Sequence, residues 1–192
     1  MKIIIAIDSF KGSLSSTEAG EAVREAILQV HPEWETDIIP IADGGEGMLN
    51  VMMNTTAGHI HTLTAHNPCM EQTEAQYGIS ADGQTAFIEM ANISGLPLIS
   101  NSQRNPMKTS TFGTGELIKD ALEKGCRKFI IGIGGSATND AGAGMLQALG
   151  FRFLDKDGNV LKQGGEILGK VVHICTQDVH QSLKNAHFIL AC

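Results

Sequence analysis

Strand and helix patterns alternate twice within the first 57 residues, and this alternation limits the possible fold more than any other feature of the chain. Lys2 to Ile7 is an apolar run of the kind found in strands covered on both faces. Ser15 and Glu18 then have the spacing of a capping box, and Ala19, Ala22, Val23, Ala26, Ile27 and Val30 recur on one helical face. Thr36 to Ile41 returns to a strand pattern, and Met48, Leu49, Met52 and Met53 return to helical spacing. A βαβα order predicts a parallel sheet under helices, with ligands gathering at the carboxyl ends of the strands. Asp8 and Asp43 both fall at such ends.

From Gly58 the texture changes. His59 to Ala65, Thr73 to Ile79 and Gln84 to Met90 are short, partly alternating segments separated by Asn67-Pro68 and Asp82-Gly83, which predicts antiparallel hairpins. Helical patterns reappear at Glu116 to Glu123 and Asn139 to Leu149, and Asp157-Gly158 reads as a hairpin turn between Phe151–Leu154 and Asn159–Leu161. We therefore expect an α/β protein with residues 1–57 in a parallel-sheet domain and 58–192 in a second, mixed α/β domain. The last run, His187 to Cys192, is strand-like and has no turn, cap or polar tail after it, so the second domain is expected to be truncated there.

Composition removes several classes of function. A net charge of -7 provides no basic field for a nucleic-acid backbone. No apolar run is long enough to cross a bilayer, and the four scattered cysteines form no Cys-x-x-Cys, which together point to a reduced, cytoplasmic setting without a membrane partner.

Four polar segments stand out against this background. Gly132 to Gly144 places small residues and Asp140 between the apolar Lys128–Ile133 run and a helical pattern, where free N–H groups and a helix dipole would receive an anion. Asp8-Ser9-Phe10-Lys11-Gly12-Ser13 combines a carboxylate, hydroxyls and an ammonium directly after the first strand, suited to a phosphate or a small hydroxy acid; a capped turn with Lys11 in solvent is the plain alternative. Asp43-Gly44-Gly45-Glu46-Gly47 sets two acids three apart, able to position Mg²⁺ or accept a hydroxyl proton, or equally to form an N-cap with its capping box. Thr109 to Glu116 opens a helix with hydroxyls and glycines, an anion cradle with Thr114 as contact or a plain capped turn.

Other matches carry less. Gly132, Gly134 and Ala137 satisfy the weak G-x-G-x-x-A dinucleotide pattern, with Asp155 more at home in a hairpin. Gly164 to Val171 lacks the P-loop hydroxyl, and Asp155, Asp157 and Asn159 lack the closing acid of a calcium loop. His59 and His61 could share a strand face but have no third ligand nearby, and the methionines fall on helix faces as core.

Taken together, Asp8 to Ser15, Ala42 to Gly47, Thr111 to Glu116 and Gly134 to Asp140 resemble, in this order, the bacterial type I glycerate kinases. The resemblance implies ATP-dependent phosphorylation of D-glycerate to a phosphoglycerate, with the 2-phosphate favoured, Mg²⁺ as cofactor, and a flavodoxin-like domain carrying an inserted mixed α/β domain. The active site would lie in the cleft between the two. Members are roughly twice this long, so the chain resembles an N-terminal half whose flavodoxin-like sheet lacks its returning strands. In this reading Gly134, Gly135, Ser136 and Thr138 contact phosphate or the substrate carboxylate, with Ser9, Glu46 and Thr114 adding to substrate binding. Lys11 neutralises developing charge. Asp8, Asp43 and Asp140 share the base and Mg²⁺ roles, the metal falling to Asp43 and Asp140. The rivals are a nucleotide-cofactor oxidoreductase using the Gly132 pattern and a binding or assembly module, including a homodimer built on the unpaired last strand.

Overall fold

β1 (Lys2–Ile7) and β2 (Glu35–Pro40) pair in parallel, Ile5 opposite Ile38, with α1 (Ser16–Val30) as the crossover between them. The computed structural model describes residues 1–10 and 12–192, so Lys11 lies outside the described residues. The expected capping box forms: Ser15 Oγ accepts the Glu18 N–H at 3.2 Å, and the Glu18 carboxylate accepts the Ser15 N–H at 2.8 Å. Gly20 lets the helix sit close on the sheet, because a Cβ there would come within 2.6 Å of Ile38 Cγ2. Ser16 ties the strand ends together, donating to the Ile7 carbonyl at 2.6 Å and accepting the Ile41 N–H at 3.2 Å.

The first strand is not buried on both faces. Ile5 is buried, but Ile4 is 60% exposed and Ile39 is 48% exposed, because α1 covers one side of the pair and no described element covers the other. Much of the apolar face of α1 is also half-covered or exposed, since two strands are too narrow to bury a helix of 15 residues.

The second sheet runs β3 (His59–His66), β4 (Gln72–Ile79), β5 (Thr85–Glu89), β6 (Lys128–Gly132), β9 (His187–Ala191). The hairpin expectation holds for β3 with β4 and for β4 with β5, both antiparallel, whereas β5, β6 and β9 are parallel. Its core gathers Tyr77, Ile88, Ile93, Leu117, Ile118, Leu122 and Phe129, with α4 (Phe112–Glu123) lying across the sheet. α2 (Met48–Thr56) covers the other side, where Leu49 and Met53 meet Phe87. The mixed α/β architecture is thus the expected class.

Two local expectations change. Phe151–Leu154 does turn at Asp157-Gly158, with Gly158 at φ 81°, but the return makes only a bridge from Leu154 to Val160; β7 (Arg152–Leu154) pairs instead with β8 (His173–Cys175). The helix expected from Asn139 begins later, as α5 (Ala143–Ala148), because Asp140 takes the Gly142 and Gly144 N–H groups on its carboxylate, as a residue ahead of a helix does, and Gly142 takes φ 74°. α3 (Ala91–Ser94) is one turn after β5.

Candidate active site

The Asp43–Gly47 loop lies on a shelf made by the carboxyl ends of three neighbouring strands. Glu89 of β5 is in register with Gly132 of β6, and Gly132 with Ala191 of β9. A Cβ on Gly44 would collide with the Ala191 carbonyl, and one on Gly132 with the Gly44 carbonyl. Gly44 has φ 81° as well, so the contact requires glycine twice over. The Gly134 N–H donates to the Gly44 carbonyl at 3.2 Å, and a Cβ on Gly134 would come within 2.7 Å of Gly45 Cα. The glycines of both motifs thus bring two backbones together.

Beside this junction opens a cleft of about 700 Å³, lined by Asp8, Ser9, Ser13, Glu46, Asn50 and Glu89 among others. It is bounded by the loop after β1, the start of α2 and the end of β5, the strand-end position expected for a ligand in an α/β sheet. The Asp8 carboxylate accepts the Ser9 N–H at 2.7 Å, which anchors the loop to its strand. The Asp43 carboxylate accepts the Gly45 N–H at 3.0 Å.

Neither Asp43 nor Glu46 caps α2. The N-cap is Gly47, at φ 94°, with no side-chain bond of its own, and the acceptor comes from another strand: Glu89 takes the Leu49 N–H at 3.1 Å. Glu89 is 2% exposed. Burial pushes its carboxyl up, the N–H groups of Leu49 and Gly47 oppose this, and neighbouring Glu46 adds to the rise. Sequence reasoning passed over Glu89; the available signal was a single acid closing the otherwise apolar Ala86-Phe87-Ile88 strand at its carboxyl end.

The remaining candidates sit apart from the cleft lining. Gly134 to Thr138 is a loop and not a helix start, for α5 begins only at Ala143, so the α5 dipole does not start there and the G-x-G-x-x-A pattern does not open a helix. Gly135 takes φ 70° and its carbonyl accepts the Leu96 N–H, while Ser136 Oγ and Thr138 Oγ1 are 2.8 Å apart. Asp140, expected among the base and metal acids, is 1% exposed and surrounded by donors: Thr111 N–H at 2.8 Å, Thr111 Oγ1 at 2.9 Å, Gly144 N–H at 3.1 Å and Gly142 N–H at 3.1 Å. That arrangement pins α4 to α5. Thr114, expected as an anion contact, is fully buried and shares a 2.8 Å hydrogen bond with Ser94. Glu116 holds His66, accepting its N–H at 2.7 Å. Among the described residues no group of three or more His, Cys, Asp or Glu could hold a metal by itself, and no helix is long and apolar enough to cross a membrane.

The model of the Glycerate kinase family matches residues 3–192. The chain belongs to the glycerate kinase family. It is 47% identical to "Glycerate kinase" of Bacillus subtilis (strain 168) and 45% identical to "Glycerate 2-kinase" of Escherichia coli (strain K12), in each case over 100% of this chain and 50% of the relative. A crystal structure from Salmonella typhimurium LT2, whose assignment as glycerate kinase 2 is itself provisional, superimposes with a TM-score of 0.85 at 45% identity and covers 100% of this chain and 51% of that one. The chain thus spans about half the length of the family members it matches.

Proposed function

We propose that the complete protein phosphorylates D-glycerate with ATP and Mg²⁺ and forms 2-phosphoglycerate. The observation that carries this reading is the locking of the Asp43–Gly47 loop onto Gly132 and Gly134 beside a polar cleft, in a chain of the glycerate kinase family. The name of the Escherichia coli relative supports the choice of the 2-phosphate.

Phosphoryl transfer asks a protein mainly for positioning and charge neutralisation. Asp8 and Glu46 bring two carboxylates to the cleft lining, with Ser9 and Asn50 as hydrogen-bonding partners for a small hydroxy acid. Mg²⁺ commonly takes one or two carboxylates and completes its shell with phosphate oxygens and water. A cleft offering Asp8 and Glu46, with Asp43 on the same loop as Glu46, fits that demand. When bound, the ion would neutralise charge on the transferred phosphoryl group.

Within this proposal Asp8 or Asp43 accepts the proton of the glycerate hydroxyl. Lys11, outside the described residues, retains the charge-neutralising role given to it by the resemblance. Gly135, Ser136 and Thr138 offer N–H and hydroxyl groups to an anion bound on the far side of the loop junction, bordered by Gly134, whose own N–H is held by the Gly44 carbonyl. Asp140 and Thr114 hold that framework in place and do not touch ligand. The division at residues 57 and 58 separates the part carrying Asp8 and Asp43 from the part carrying the glycine loop, and the free cysteines support a cytoplasmic location.

A coupled ADP-release assay on the folded, full-length protein with D-glycerate, ATP and Mg²⁺ tests the reading, and phosphorus NMR of the product separates 2- from 3-phosphoglycerate. Glycerate-dependent ADP release with a 2-phosphate product is expected. No glycerate-dependent turnover would remove the kinase assignment, and a 3-phosphate product would remove the regiochemical part of it.

A further inference from the structure

We propose that Glu89 is a positioning residue for the reaction, a buried carboxylate that sets the start of α2 and, through it, the acid loop at the cleft. The inference rests on the kinase reading above and adds a residue to it.

Three observations lead there. The first is the way the Asp43–Gly47 loop is held at both ends. At its beginning, Gly44 is pressed on Ala191 and Gly132 and receives the Gly134 N–H. At its end, Glu89 takes the Leu49 N–H at 3.1 Å and draws the Gly47 N–H as well. Glu46 lies between these two fastenings and Asp43 directly precedes the first, so the placement of the acid loop relative to Asp8 depends on both.

The second observation is that the local sequence cannot supply this cap. Gly47 has no side chain, and the Asp43 carboxylate is turned to Gly45. The first N–H groups of a helix have no partner within it and need an outside acceptor. A carboxylate is the strongest such partner, because it also meets the positive end of the helix dipole. Because Glu89 is in register with Gly132, the same layer of the sheet carries both fastenings.

The third observation is the location of the carboxylate. Glu89 is 2% exposed, yet it lines the cleft beside Glu46 and Asn50. Capping alone does not require an acid in so dry a position, since a neutral amide accepts an N–H as well. Burial and Glu46 both disfavour the ionised form. The group is therefore held where its charge costs stability, which argues for a function that uses the charge.

Glu89→Gln and Glu89→Ala in the full-length protein test this. Glutamine keeps the volume and one acceptor oxygen but loses the charge; it is expected to lower kcat about tenfold, leaving KM for glycerate within about twofold. Its melting temperature is expected to stay within about 4 °C of the wild type, because the substitution also removes a buried charge. Alanine removes both bonds and is expected to lower kcat about 100-fold, the scale of a misplaced catalytic group. Gly47 and Leu49 amide exchange should quicken in the same order. If alanine fails to fold, glutamine decides. Wild-type kcat in a folded Glu89→Gln protein would overturn the inference alone. A wild-type protein without glycerate turnover would overturn the kinase reading and this inference with it.

Discussion

The Gly134 N–H reaches the Gly44 carbonyl at 3.2 Å, and neither residue could carry a side chain at that crossing. The two glycine-rich motifs are separated by about 90 residues in the chain, yet they meet backbone to backbone above the strand ends. Gly134→Ala should therefore push the acid loop off its shelf. A loss of about 1–3 kcal/mol is expected, as for overpacking at a tight contact, and urea unfolding of the folded protein measures it. An unchanged denaturation midpoint would mean that the contact contributes nothing.

Asp140 gives the opposite case, a carboxylate whose neighbours are all protein donors. Asp140→Ala should leave the Thr111, Gly142 and Gly144 donors unsatisfied in a buried site and cost about 3 kcal/mol or more. The complete protein carrying Asp140→Asn, when folded, should keep the Mg²⁺ dependence of its turnover. A large rise in the Mg²⁺ concentration needed for half-maximal rate would return Asp140 to the metal role expected from the sequence.

Asp43 should behave differently from Asp140. It lies on an exposed part of the loop, and Asp43→Asn keeps an acceptor for the Gly45 N–H at the cost of the charge. Turnover by the complete protein is expected to fall by at least about 100-fold, within the range of a general base, while the melting temperature changes little. A variant with wild-type kcat would make Asp43 a loop residue only.

Tyr77 and Asp120 give a pH-dependent contribution far from the cleft. The fully buried Tyr77 hydroxyl donates to Asp120 Oδ2 at 2.5 Å, and Lys124 lies on the same carboxylate at 2.7 Å. Burial by itself would raise the Asp120 carboxyl; the Lys124 ammonium and the Tyr77 hydroxyl outweigh it and hold the group below its usual value. A depressed acid stabilises the fold above its unfolded pKa, near 4, and that stabilisation is lost as pH falls through the folded value. Tyr77→Phe should cost about 1–2 kcal/mol at pH 7, and the difference should shrink below pH 4. A pH-independent difference would show that the Asp120 charge plays no part.

The edges of the chain invite association. Leu190 on β9 is 62% exposed and Ile4 on the open side of β1 is 60% exposed, and a flat apolar edge strand readily finds another strand. The 192-residue chain alone is expected to dimerise or aggregate in light scattering, and Ile4→Lys with Leu190→Lys should reduce this. A monodisperse monomer of the unmodified chain would show that these faces are tolerated in water.

The sequence was most legible where pattern and local chemistry agree. The capping box of Ser15 and Glu18, the hairpins of β3 to β5 and the parallel start of β1 and β2 could all be read from spacing. It was least legible where tertiary contacts decide. Lys2 to Ile7 looks like a strand buried on both faces, but burial depends on what lies opposite, which no local pattern states. Gly134 to Thr138 looks like a helix start, yet the helix waits for the Gly142 and Gly144 N–H groups taken by Asp140, whose carboxylate is itself held by Thr111, 29 residues earlier. The Asp43 and Glu46 spacing looks like a capping box, whereas the acceptor is Glu89. A lone acid closing an apolar strand cannot be distinguished from an ordinary strand end until the packing of the helix above it is known.

The most direct test of the central claim is steady-state turnover of D-glycerate by the full-length protein, read as ADP release in the presence of ATP and Mg²⁺. The account predicts saturable, glycerate-dependent turnover that is lost in Asp43→Asn and lowered in Glu89→Gln without a matching change in KM. A folded full-length protein that releases no ADP in response to glycerate would contradict it.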